Sequence, residues 1–118
     1  MELTKAEEQI MQALWTLKKG LVHDIIELLD EPKPAYTTVS TLIRIMEKKG
    51  FVGHKAYGRT HEYFPLITKK KYSKGLTKKF LNGYFEGSIE NMVSFFVREK
   101  QLSVSELEQI LSELKKKK

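Results

Sequence analysis

The chain has 118 residues, of which 41% are hydrophobic, so it can fill one modest core but not two independent cores of good size. It contains no cysteine, which excludes disulfides, thiolate metal sites and a cysteine nucleophile. The formal net charge of +6 invites a polyanionic partner, yet all of it comes from residues 68–118, because residues 1–67 sum to zero.

The first two predicted elements are short amphipathic helices. Thr4 and Glu7 form a capping box at the start of the first helix, whose apolar residues recur at helical spacing. We expect Gly20 to end this helix as its C′ residue, before a short extended link. The second helix is predicted from Asp24 to about Leu29, where two prolines open a loop.

A third amphipathic helix and a hairpin follow. Thr37 or Thr38 is expected to cap the helix, which ends at Gly50. Residues 51–55 and 60–66 are predicted strands, joined by a tight turn in which a glycine can take positive φ.

The order of these elements predicts the fold class. Helix, short strand, helix, helix and hairpin over residues 1–67 are typical of a winged helix-turn-helix DNA-binding domain, with the third helix as recognition element and the hairpin as wing. Residues 68–118 carry only helical patterns, with breaks at Asn82-Gly83 and Gly87-Ser88 and a second capping box starting at Ser103. We therefore predict a mainly α protein with a small β wing and a C-terminal helical dimerisation region.

The third helix and the wing carry the candidate DNA contacts. The N-terminal residues of a helix in the major groove meet base edges first, and threonine hydroxyls serve as donors or acceptors there. Arginine binds guanine or phosphate, and basic residues on a hairpin suit the phosphate backbone. An ordinary solvated surface is the alternative interpretation. The expected DNA-binding residues are Tyr36, Thr37, Thr38, Thr41, Arg44, Lys48, Lys49, Lys55 and Arg59.

The C-terminal region is rich in aromatic and branched apolar residues. A helical appendage of roughly 50 residues can barely close a core alone, so a second copy would bury these side chains better. A core within one chain is the alternative. The expected dimer-interface residues are Phe80, Tyr84, Phe85, Met92, Phe95, Phe96, Leu107, Ile110 and Leu111.

The sequence shows no catalytic or metal-binding pattern. It has no glycine-rich phosphate loop, no paired nucleophile and base and no spaced metal ligands, so we expect neither an enzyme nor a cofactor. His54 and His61 could face each other across the hairpin, but two imidazoles without a third ligand are better interpreted as polar wing residues. No secretory signal or membrane-spanning run is visible, so we expect a cytoplasmic protein without membrane insertion.

Several short motifs occur together in the first 67 residues. They are Leu3-Thr4-x-Ala6-Glu7, Ile10-Met11, Leu14-Trp15, Tyr36-Thr37-Thr38-Val39-x-Thr41-Leu42, Lys49-Gly50, Gly58-Arg59 and Tyr63-x-Pro65-Leu66. In combination they resemble the penicillinase-repressor family of BlaI/MecI-type winged-helix transcriptional repressors. The likeness continues more weakly to the last helix.

The resemblance implies a homodimer that binds a palindromic operator and represses β-lactamase or penicillin-resistance genes. It also implies C-terminal dimerisation, and induction by a membrane-bound sensor protease that cuts an Asn-Phe bond. The aligned position here is Phe95-Phe96, which argues against the usual proteolytic route. A copper-responsive branch of the family carries C-terminal cysteines, so thiolate copper sensing is excluded.

The expected partners are therefore double-stranded operator DNA, a second copy of the chain and, by resemblance, a sensor protease. A protein-interaction module without specific DNA binding is the alternative. Winged helices also serve as docking surfaces, and the acidic first two helices could meet a basic partner.

Overall fold

The computed structural model describes residues 2–116, which form a mainly helical protein with one two-stranded antiparallel sheet, as the sequence predicts. The chain divides into two compact units, Met1–Ser73 and Lys74–Lys118. Within residues 2–116, no helix is both long enough and apolar enough to cross a membrane. In chain order the elements are α1 (Lys5–Leu17), α2 (Val22–Glu27), α3 (Tyr36–Lys48), β1 (Val52–Tyr57), β2 (Thr60–Pro65), α4 (Lys69–Phe85), α5 (Ile89–Arg98) and α6 (Val104–Lys116).

The predicted capping box of α1 is confirmed. The Thr4 hydroxyl accepts the Glu7 N–H at 3.2 Å, and the Glu7 carboxylate accepts the Thr4 N–H at 2.8 Å. The expectation that Gly20 ends α1 is wrong, because Lys18 itself takes positive φ (71°) and closes the helix. Gly20 instead pairs its backbone with Tyr63 of β2, at 2.9 and 2.8 Å.

The helix α2 begins two residues earlier than the sequence predicts. The Asp24 carboxylate accepts the Leu21 N–H at 2.9 Å, which satisfies a backbone donor at the start of the helix. The helix therefore starts at Val22 and ends at Glu27.

The helix α3 begins without a side-chain cap. Ala35 is the N-cap, with φ −66° and ψ 149°, so the expectation that Thr37 or Thr38 caps the helix is wrong. Both threonines lie in the first turn and are exposed. The predicted end at Gly50 is confirmed: with φ +86°, it allows the Gly50 and Phe51 N–H groups to donate back to helix carbonyls at 3.0 Å, a Schellman motif.

The wing is a two-residue hairpin. Tyr57 pairs with Thr60, which leaves Gly58 and Arg59 at the tip, and only Gly58 has positive φ (64°). This is the pattern of a type II′ turn. His54 pairs with Tyr63 rather than with His61, so the residues expected to face each other are offset diagonally.

The core of the first unit lies between α1, α2, α3 and the base of the wing. Each helix contributes one apolar stripe, as the period of 3.6 residues requires. The most deeply buried apolar residues are Ile10, Met11, Leu14, Val39, Ile25, Ile43, Met46 and Val52.

The first turn of α4 belongs to this unit. The Tyr72 hydroxyl donates to the Glu8 carboxylate at 2.6 Å, and its ring lies 5.7 Å from Trp15 and 6.0 Å from Phe51. The compact first unit thus extends to Ser73, beyond the predicted boundary after residue 67.

In the second unit, α4 continues through Gly83, so the break expected at Asn82-Gly83 is wrong. A helical glycine costs only about 1 kcal/mol, and this one has nothing within 4 Å of its Cβ position. The break at Gly87-Ser88 is confirmed, since Gly87 has φ 78° and Ser88 caps α5. The capping box at Ser103 is confirmed as well.

Candidate nucleic-acid interface

The helix α3 presents a polar face to solvent. Val39, Ile43 and Met46 are buried on one side, which turns the opposite side outward. Helical spacing places Thr37, Thr41 and Lys48 on this outer side, and all three are exposed. Thr38 and Arg44 lie at its margins and are also exposed, so five of the predicted contacts share one surface.

Ile45 belongs to the same surface, although it is not among the contacts predicted from the sequence. It is 41% exposed although it is apolar and lies one helical turn after Thr41. An apolar side chain among threonines suits contact with a thymine methyl group. Its position outside the stripe of Val39, Ile43 and Met46 is the signal that identifies it.

Lys49 points away from the other predicted contacts. Its ammonium lies 2.8 Å from the Glu7 carboxylate and 3.3 Å from the Glu2 carbonyl oxygen, on the α1 side of the unit. The lysine is thus engaged inside the protein. Burial alone would raise the pKa of the Glu7 carboxyl, but hydrogen bonds from Lys49 and Thr4 outweigh it, so that the pKa is lowered.

The wing carries two of the predicted cations. Arg59 lies at its tip and Lys55 on β1, with the Lys55 ammonium 5.4 Å from the centre of the Tyr57 ring. Both side chains are exposed. A positively charged hairpin beside a polar helix is the arrangement in which a wing contacts the phosphate backbone.

A groove of about 410 Å³ separates α3 from the wing; we call it the wing groove. On the helix side, Tyr36, Ser40 and Arg44 follow one another at four-residue spacing. The Arg44 guanidinium donates to the Ser40 hydroxyl at 3.1 Å, and the Tyr36 ring lies 4.9 Å from that of His23. Tyr36 and Arg44 were predicted as contacts, whereas Ser40 and His23 were not.

On the wing side of the groove lie Arg59 at the tip and, on β2, His61 and Tyr63, which alternate along the strand and so face the same way. Burial, reinforced by the nearby Glu47 charge, raises the pKa of the Tyr63 hydroxyl. Of these three, Arg59 alone was predicted from the sequence as a DNA contact. The alternation of His61 and Tyr63 along β2 is the signal that identifies the other two.

The two wing histidines stack at 4.3 Å between ring centres, with planes 15° apart. The Nδ1 atom of His54 lies 2.6 Å from the Glu47 carboxylate of α3, which fixes that ring. In the described part of the chain, no group of three or more histidine, cysteine or acidic residues is placed to hold a metal.

In the second unit the five aromatic residues among the predicted interface residues form a cluster on α4 and α5. Phe85 lies 5.6 Å from Phe80 and 5.5 Å from Phe95, and Phe96 lies 6.0 Å from Phe95. Tyr84 joins the cluster through Phe80 and is 77% exposed. None of the described residues of α4, α5 or α6 is buried, including Met92, Leu107, Ile110 and Leu111.

The family model of the penicillinase repressor matches residues 3–116. The chain belongs to the penicillinase repressor family. The family consists of regulatory repressors, in agreement with the winged-helix fold and with the predicted membership.

Two relatives from this family are similar over nearly their whole length. The methicillin resistance regulatory protein MecI of Staphylococcus aureus (strain N315) is 30% identical over 117 residues, covering 98% of this chain and 95% of that protein. The penicillinase repressor of Bacillus licheniformis is 30% identical over 121 residues, covering 99% and 94%. A solved structure of a CopR repressor has 28% identity and a TM-score of 0.47, and covers 57% of this chain and 99% of its own.

Proposed function

We propose that this penicillinase-repressor family member is a sequence-specific transcriptional repressor that binds a palindromic operator as a homodimer. The helix α3 enters the major groove, and the wing contacts the adjacent backbone. The observation that carries the proposal is the outward row of Thr37, Thr41 and Lys48 beside the positively charged wing tip at Arg59. Threonines supply hydrogen bonds and methyl contacts to bases, and the cations supply phosphate contacts.

The second unit supports the homodimer. Its three helices bury no residue within one chain, and they expose a set of large apolar side chains that a second copy would cover. A two-fold dimer presents two recognition helices, which matches a palindromic operator. In the dimer the two copies of the first unit are linked. Once one copy has bound its half-site, the other binds intramolecularly, so the overall affinity rises.

The regulated genes are proposed from the relatives. One of them is named for methicillin resistance and another for penicillinase, so we propose that the operator lies before genes of this antibiotic-resistance class. Phe95-Phe96, at the position of the family's cleavage bond, lies inside α5. The backbone hydrogen bonds of α5 hold the peptide bond between these two residues in helical form. A sensor protease can therefore cleave it only after this part of the helix has opened.

The proposal is tested by selecting duplexes from a random pool with the full-length protein, then measuring affinity by fluorescence anisotropy. We expect a palindromic site to be enriched and to bind at least about a thousandfold more tightly than random duplex. Replacing Thr37 and Thr41 together by alanine should remove most of this preference. The matched control is Thr16→Ala, on the exposed face of α1.

Two results would overturn the proposed function. One is the absence of any duplex binding at micromolar protein and low salt, which favours the protein-interaction module. The other is equal binding of the selected and random duplexes, which leaves only non-specific attraction.

A further inference from the structure

The charged side chains that line the wing groove are all basic. Ten residues line it, and none of them carries a carboxylate. The Arg59 side chain makes no hydrogen bond or ion pair with the described residues. Arg44 donates to Ser40 and also interacts with the Tyr63 hydroxyl, but a guanidinium has five N–H donors, so both groups keep free donors. The lining residues that carry or can gain a positive charge are His23, Arg44, Arg59 and His61.

We propose that the wing groove binds one phosphodiester group of the duplex backbone, held between Arg44 and Arg59, with His61 donating a further hydrogen bond. This inference rests on the proposed function, because it requires duplex DNA to lie against α3 and the wing. Guanidinium groups bind phosphate oxygens through paired N–H donors. The inference assigns Arg44 to the backbone rather than to a base.

The size of the groove suits this ligand. Its volume of about 410 Å³ far exceeds the roughly 30 Å³ that one water molecule takes up in the liquid, so a phosphate group fits together with bridging water. Hydroxyl groups of Ser40, Thr60 and Tyr63 also line it and can bind phosphate oxygens or that water.

Contacts on the wing hold the ring of His61 at the groove. The ring stacks on His54, which Glu47 holds from α3, and Tyr63 lies 6.2 Å away on the same strand. Arg44 and Arg59 share the groove with it. A ring N–H of His61 can therefore donate to a phosphate oxygen that the two guanidinium groups bind.

The first test compares the affinities of wild-type and variant protein for a selected duplex. Full-length protein is used at fixed pH and ionic strength. His61→Phe keeps a ring beside that of His54 but has no N–H to donate, so it should lower affinity roughly tenfold. The control is Thr16→Ala, on the exposed face of α1, which should leave affinity unchanged. An affinity that His61→Phe leaves unchanged would overturn the assignment of His61.

The second test replaces backbone phosphates one at a time by neutral methylphosphonate. One position in each half-site should cost wild type about tenfold in affinity and cost the double variant Arg44→Gln/Arg59→Gln almost nothing more, because that variant has lost both guanidinium groups from the contact. If every position costs both proteins the same, the groove holds no phosphodiester.

A third measurement separates the duplex from free anion. Inorganic phosphate is titrated while the His61 ring signals are followed by NMR. Weak binding, displaced by duplex, supports the proposal. Tight binding that duplex does not displace would identify a free-phosphate site and overturn it. If no phosphate position distinguishes wild type from the variant, but the protein still selects its site, only this inference is overturned. A protein that selects no site overturns the proposed function as well.

Discussion

The Glu7 carboxylate of α1 lies 2.8 Å from the Lys49 ammonium at the end of α3. The same carboxylate accepts the Thr4 N–H, and Glu7 is only 1% exposed. One side chain therefore closes the capping box of α1 and fixes the C-terminal end of α3.

Lys49→Met should destabilise the protein by about 3 kcal/mol at neutral pH, because it leaves the buried Glu7 charge without its partner. The pKa of the Glu7 carboxyl is lowered in the folded state, so its stabilising contribution is present above the ordinary value of 4.5 and is lost as pH falls through the lowered value. The deficit of the variant, which is its loss in free energy of unfolding relative to wild type, should therefore shrink below pH 4.5. Urea unfolding across this range measures it, and Lys48→Met is the control. A deficit that stays constant with pH would contradict the role of the ion pair.

The neighbouring lysines should differ in their effect on DNA binding. Lys48 is exposed on the outer face of α3, whereas Lys49 is engaged with Glu7. Lys48→Met should lower the slope of log affinity against log salt by about one unit, and Lys49→Met should leave that slope unchanged. The two salt titrations use the same selected duplex. The reverse result would place Lys49 on the DNA.

Tyr72→Phe should cost about 2 kcal/mol, since it removes a hydrogen bond to the charged Glu8 carboxylate. Burial, followed by the hydrogen bond and charge of Glu8, raises the pKa of Tyr72 to about 12. The contribution of this hydroxyl is therefore full below pH 10.0 and is lost as pH rises towards 12. Unfolding of both proteins at neutral and alkaline pH tests this, and equal stability at neutral pH would contradict it.

Leu111→Glu should separate the proposed dimer. Leu111 is 50% exposed on the apolar side of α6, and a charge buried against a second copy would cost several kcal/mol. Gln109→Glu introduces the same charge on the polar side and serves as the control. Sedimentation velocity should show the variant as a monomer and the control as a dimer. A dimeric Leu111→Glu protein would remove this face from the interface.

Ile45→Ala should remove recognition of a thymine methyl group. Replacing thymine by uracil at one operator position in each half-site should cost wild type about fifteenfold in affinity, in line with about 0.8 kcal/mol for each of the two buried methyl groups. The same replacement should cost the Ile45→Ala variant nothing. If no uracil position distinguishes the two proteins, Ile45 does not contact thymine.

Local chemistry accounts for what the sequence predicted well. Capping boxes at Thr4 and Ser103, the glycine that ends α3 and the periodic apolar stripes all depend on residues within one helical turn or one hairpin of each other. These features were enough to predict the order of helices and strands, and with it the winged helix. The DNA contacts and the dimer remain predictions, both from the sequence and from the structure.

Contacts between distant residues decided the rest. Lys49 resembles its neighbour Lys48 in sequence, and only its contact with Glu7, 42 positions away, withdraws it from the polar face. Gly20 looks like the end of a helix until its backbone pairs with Tyr63. The wing groove likewise exists only because residues of α3 and of the wing, distant in the sequence, line the same space. Helical periodicity fixes which way a side chain leaves its own helix, but not what it meets there, because the partner is chosen by the packing of the whole unit.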